Sequence, residues 1–264
     1  MLPLHDRWIL QRISSVVLVI GLTVTACGDD APNAPPQKTT EEVAPPKLTV
    51  TEKWSVLVNP TRPRVGVVPL NAKAPMHNVE KLAFQGPQLG HPFCLGEFTE
   101  DGQFALVNGM LAVTAGKNAL VSLGVADQFE LEGIVDLEGF GGWLMLLGWN
   151  QGHGYSLSNV TLKDSGSPWF VCEYRAHAAI VPTNNEVKQL QWNGSKSFRL
   201  TMKNKELTVQ IDQGFVVENY PLDNYSPGEI LLGTYDTRYG PRPLKVQSLR
   251  IRSLDDPKNQ EKAK

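Results

Sequence analysis

From Leu48 to Leu254 no stretch of the chain keeps the 3.6-residue apolar period of a helix. Short runs rich in β-branched and aromatic residues alternate instead with turn residues, which restricts the body to β-structure. Gly (23) and Pro (19) are more frequent than a helical bundle tolerates. Leu48 to Thr51 and Trp54 to Val58 read as a first pair of strands, with Val65 to Val68 another short run. Phe104 to Val107 and Met110 to Thr114 flank Asn108-Gly109, a strong hairpin signal, and Ala119 to Val125 follows. Glu130 to Glu138 alternates: Leu131, Val135 and Leu137 face one way, Glu130, Glu132, Asp136 and Glu138 the other. Leu144 to Leu147 shows no alternation, as in a strand covered on both faces. Tyr155 to Leu162, Trp169 to Ala176, the pair around Asn204-Lys205, Ile230 to Tyr235 and Val246 to Ile251 complete the set. Many short strands with no helix between them predict an all-β antiparallel sandwich or barrel.

The N-terminus reads as an address. Arg7 and Arg12 precede an apolar run from Ile13 to Ala26, too short to span a bilayer comfortably but suited to a secretory signal. The run ends in Val24-Thr25-Ala26-Cys27, which resembles a bacterial lipobox. It implies cleavage after residue 26, acylation of Cys27 and an exported lipoprotein held at the envelope membrane. Residues 27–47 carry five prolines and no apolar period, which predicts a disordered tether before a domain over 48–254. Residues 255–264 read as a polar, disordered tail. Cys94 and Cys172 then remain as an even pair in an oxidising compartment. A disulfide between them would close a loop of about 78 residues and stabilise by roughly 4 kcal/mol; two separate buried thiols are the alternative.

The formal net charge is −2 with no basic block, which argues against nucleic acid as a partner. No Gly-x-Ser-x-Gly elbow, His-Glu-x-x-His, phosphate-cradling loop or dinucleotide fingerprint occurs, and no cofactor or metal is implied. His91, His153 and His177 are scattered.

The order of signals from Phe98 to Leu254 resembles the concanavalin A-like lectin/glucanase superfamily of jelly-roll sandwiches. It is similar, more narrowly, to the 3-keto-disaccharide hydrolase domain family. The residues that carry the likeness are Asp101-Gly102, Asn108-Gly109, Asp127 to Leu131, Gly154 to Leu157, Trp192-Asn193, Asp212 to Gly214, Gly228 to Gly233 and Val246 to Ile251. The resemblance implies a jelly roll and a saccharide ligand, bound or hydrolysed. Ser156 stands where members of that family carry an acid after Gly-Tyr, and their Asn-Ser-Gly strand signature has no match near Trp143 to Asn150. The fold is therefore separable from the activity.

Asp136-Leu137-Glu138 comes nearest to the Glu-x-Asp-x-x-Glu strand of the glucanase branch, without its third acid. The four acids of that strand also suit a solvated face guarding against edge pairing, or ligands for calcium. The aromatic segments are more suggestive. Trp149, Asn150, His153 and Tyr155 surround a Gly-rich turn, and Tyr235 and Arg238 form a second polar-aromatic loop. With Glu173 and Arg175 these would make a carbohydrate-binding cleft, rings stacking on sugar faces and polar groups taking hydroxyls. Alternatively, Trp149 and Tyr155 cap the core at a strand end. Three readings follow: a lipid-anchored carbohydrate-binding domain, a divergent glycoside hydrolase, or a structural lipoprotein that binds protein.

Overall fold

The computed structural model describes residues 50–59, 65–71, 76–79, 102–116, 119–137, 141–161, 168–176, 178–180, 186–189, 194–235 and 244–255. The chain divides into two units, Met1–Val43 and Ala44–Lys264, and every described residue belongs to the second. The signal, Cys27, the tether, Cys94, His91, His177, Glu138, Arg238 and residues 256–264 of the C-terminal tail lie outside the described residues, as does the side chain of Tyr235.

The described strands, in chain order, are β1 (Ser55–Val58), β2 (Val67–Pro69), β3 (His77–Asn78), β4 (Gln103–Val107), β5 (Met110–Ala115) and β6 (Ala119–Ala126). Then come β7 (Phe129–Leu137), β8 (Gly141–Asn150), β9 (His153–Thr161), β10 (Pro168–Arg175), β11 (Ala178–Ile180) and β12 (Glu186–Gln189). The last are β13 (Gly194–Lys203), β14 (Glu206–Ile211), β15 (Gly214–Pro221), β16 (Gly228–Tyr235) and β17 (Leu244–Ser253). They form two sheets. The first runs β15-β14-β13-β7-β17-β5-β4-β2, with β1 also on β17; the second runs β11-β10-β9-β8-β16-β6-β3, with β12 also on β10. All these pairings are antiparallel. The chain changes sheet at each step from β5 to β8, and again from β15 to β17, so it closes as a jelly-roll sandwich.

Turn chemistry sets the registers. Asn108 (φ 51) and Gly109 (φ 84) both sit in the left-handed region, as a two-residue hairpin turn matched to strand twist requires. Asn204 (φ 52) and Lys205 (φ 60) make the same turn between β13 and β14. Between the sheets, Trp143 meets Trp169 edge-on at 5.3 Å and Phe198 at 5.8 Å. Leu131, Val135, Leu200, Val209 and Ile251 bury around them. The alternation on β7 thus places Leu131 and Val135 inward as expected.

The second sheet is covered on both faces. Leu144 and Leu146 join Leu120, Trp149, Cys172, Tyr174 and Leu231 in a separate buried cluster turned away from the sandwich core. The unbroken apolar run on β8 is the sequence counterpart of that double cover. Of the first two runs, the second forms a strand, and the described part of the first, Val50-Thr51, does not pair with it. β1 joins β17, with Ser55 opposite Ile251 and Val56 opposite Arg250, while Val50 and Thr51 bond to Val125 and Ser253. An existing strand edge offers a longer ladder than a short hairpin joined only by Glu52 and Lys53.

Candidate functional site

Across the face of the first sheet that points away from the core, strand alternation lines up opposite charges on neighbouring strands. Glu130 and Glu132 on β7 face outward, with Arg199 on β13 to one side and Arg250 and Arg252 on β17 to the other. Arg199 Nε donates to Glu132 Oε1 at 2.6 Å and lies 3.3 Å from Glu130 Oε1. Arg250 Nε donates to Glu132 Oε2 at 2.8 Å, and Arg252 Nε to Glu130 Oε2 at 2.7 Å. The guanidinium carbons of Arg250 and Arg252 stand 4.3 and 4.7 Å from the Trp54 ring centroid, a cation–π contact that fixes both forks.

This arrangement corrects the reading of the β7 acids as a solvated guard on an edge strand. β7 lies between β13 and β17, and its glutamates are covered by arginines from both sides. Burial pushes the Glu132 carboxyl up, but hydrogen bonds from Arg250 and then Arg199 outweigh it and hold the group below its ordinary value. A carboxyl in that state stays ionised and is a poor general acid. Asp136 shares this face, while Glu138 lies outside the described residues. Among the described residues no three His, Cys, Asp or Glu side chains are placed to hold a metal ion.

Beside the ladder an open groove of about 620 Å³ crosses β14, β13, β7, β17 and β1. Its volume is that of a small-molecule site. Five strands at the usual spacing give it a length of about 19 Å. Gln210 and Asp212 line one end, Ser197, Arg199, Glu132, Ser248 and Arg250 the middle, and Val56 and Asn59 the other end. Ile134 and Val56, 39% and 59% exposed, add apolar surface among these polar groups. Beneath the floor, Gly133 leaves room for the buried Phe198 ring: a Cβ there would lie 2.7 Å from it and 2.6 Å from Ser248 O. Lys196 Nζ, 3.0 Å from Asp212 Oδ2, holds that carboxylate in place.

The residues singled out in the sequence fall into two groups on the second sheet. Tyr155, Glu173 and Arg175 come together, bridged by Asn224. The Tyr155 hydroxyl accepts the Asn224 N–H at 3.0 Å; Asn224 Nδ2 donates to both Glu173 oxygens at 3.1 and 3.3 Å, and Arg175 Nε donates to Oε1 at 2.6 Å. Asn150 and His153 are exposed at the β8–β9 hairpin. Trp149 lies on the opposite face. It is 5% exposed and packs edge-on against Tyr174 at 5.6 Å, whereas Tyr155, 6% exposed, belongs to the core between the sheets.

The physical reason is one residue. Gly148 (φ 62) makes a bulge in β8, so Trp149 shares a face with Leu146 instead of Leu147. Both rings are therefore buried, Trp149 in the outer cluster and Tyr155 in the core between the sheets, and neither presents its face to solvent. Cys172 is buried in the Trp149 cluster, its Sγ 3.5 Å from Ile180 O; its suggested partner Cys94 lies outside the described residues.

The groove residues were within reach of the sequence. Phe198-Arg199-Leu200 and Leu249-Arg250-Ile251-Arg252 alternate with period two and place bases outward, complementing Glu130-x-Glu132. Asn224 had no such signal, because it lies in the segment between β15 and β16 and meets Glu173 only in three dimensions.

No family model and no curated protein matches this chain. Solved structures do resemble its trace. One is the carbohydrate binding module CBM66 from Bacillus subtilis, 14% identical over 58% of this chain and 92% of that one, with a TM-score of 0.45. Another is a Bacillus licheniformis β-glucanase, 8% identical over 78% and 100%, TM-score 0.47. A third, a native glycosidic hydrolase, is 10% identical over 80% and 100%, TM-score 0.49. At these scores none of them assigns a role to a residue of this chain.

Proposed function

We propose that this chain is an exported, lipid-anchored sandwich of the concanavalin A-like kind that binds a saccharide in the groove of its first sheet without cleaving it. The observation that carries this reading is the groove itself. It is elongated and open, and its fixed amide, hydroxyl, carboxylate and guanidinium groups alternate with Ile134 and Val56. Saccharides offer the same alternation of hydroxyl edges and C–H faces, and a site that orders its polar groups in advance loses less entropy on binding. Binding without hydrolysis is supported by the state of the acids. Cleavage uses one carboxyl that is protonated at working pH, and Glu132 is held in the opposite sense by two arginines. Export and anchoring rest on the signal segment and Cys27.

A glycan array probed with the full chain tests the reading, beside a Ser248→Trp variant whose indole fills the groove. Binding to a defined set of glycans, lost in the variant, is the expected result. An array with no ligand, or equal binding by a folded Ser248→Trp protein, overturns the site. Release of shorter sugars from a bound glycan overturns the non-catalytic part.

A further inference from the structure

We infer that the groove selects saccharides bearing a carboxylate, as uronic acids do, and that Arg199 and Arg250 read that group. This rests on the groove being a saccharide site and adds the class of sugar it takes.

Charge is the first argument. The ladder sets three guanidiniums, Arg199, Arg250 and Arg252, against two carboxylates, Glu130 and Glu132, while Lys196 and Asp212 form a separate pair. That ladder carries one cation more than anions, on a chain whose formal net charge is −2. An anionic ligand completes the pairing; a neutral one leaves it unbalanced.

Geometry is the second. Arg199 and Arg250 bracket one carboxylate, each through Nε and Nη2, which locks both guanidinium planes. Their Nη1 groups take no part in these pairs, and the two side chains remain 54% and 50% exposed. A planar fork with spare donors, fixed in orientation and open to solvent, matches a carboxylate better than a hydroxyl does.

The lining is the third. Among the described lining residues the aromatic one is Phe198, which is 3% exposed and turned into the core, so its face is not offered to a sugar. Trp54 lies beyond the lining, against Arg250 and Arg252. With no ring face among the described lining residues, affinity there comes from polar contacts made in competition with water. Charge-assisted bonds are about twice as strong as neutral ones, which favours the acidic sugar.

The test is calorimetric titration of the full chain with tetragalacturonate and with the same tetramer after reduction of its carboxyls to alcohols, alongside an array carrying other acidic and reduced pairs. The expected result is binding of the acidic form at least about tenfold tighter, weakening with added salt. Arg199→Gln and Arg250→Gln should each erase most of that preference. Arg199→Lys keeps the charge without the fork and serves where the Gln variant does not fold; it should keep the salt dependence and lose part of the preference. Equal affinity for acidic and reduced members across the pairs overturns the inference and leaves a neutral-saccharide groove standing. Binding of neither class overturns the groove as a saccharide site altogether.

Discussion

Trp149 shows how a single backbone angle redirects a side chain. With Gly148 in the left-handed region, the indole leaves the core between the sheets and packs on Tyr174, Leu146 and Leu231. Truncating it removes a ring that is 95% buried, so Trp149→Ala should cost about 3–5 kcal/mol of stability, read as a large fall in melting temperature. A folded variant of unchanged stability would mean that the ring is exposed after all. Glu132 supports a prediction of another kind. Its folded-state pKa lies below the unfolded value, so its contribution to stability is complete above the unfolded pKa of about 4.3 and is lost as pH falls through the lower folded value. The wild-type melting temperature should therefore drop more steeply with acid than that of Glu132→Gln. Parallel curves in a pH series would remove the arginine pairs as the cause.

At the scale of elements, legibility followed the range of the interactions. Periodicity and turn chemistry placed β1, β2, β4 to β10, β13, β14, β16 and β17, because alternation and φ-positive turns are local properties of a few residues. β3, β11, β12 and β15 went unread, and the pairing of β1 with β17 had no local signal. The first three are short, and their pairing is decided by which edge lies nearby. The site divides in the same way. Outward charges on β7, β13 and β17 were visible as alternation, but their meeting required the order β13-β7-β17, which no local pattern states. The bulge that parts Trp149 from Tyr155 was equally hidden, since Gly148 looks like any strand glycine. The β13–β14 turn gives this level its own test. Lys205 sits at φ 60, where a side chain costs about 1 kcal/mol, so Lys205→Gly should raise the melting temperature despite losing a 3.4 Å contact to Asp223 O. A lower melting temperature would show that this contact outweighs the backbone strain.

At the scale of the whole molecule, one sheet of the sandwich is covered on both faces and a groove crosses the other. Anchoring is tested through Cys27→Ser, which should release the protein from the membrane fraction or stall it with its signal attached; normal processing and retention would contradict acylation. The central claim concerns which sheet meets the ligand. The most direct measurement is titration of one array-selected glycan against three proteins: the wild type, Ser248→Trp in the groove, and Asn150→Ala/His153→Ala at the exposed β8–β9 hairpin. The account predicts that Ser248→Trp weakens binding at least about tenfold while the hairpin variant binds like the wild type. Binding lost in the hairpin variant and kept in a folded Ser248→Trp protein would place the ligand on the second sheet and contradict it.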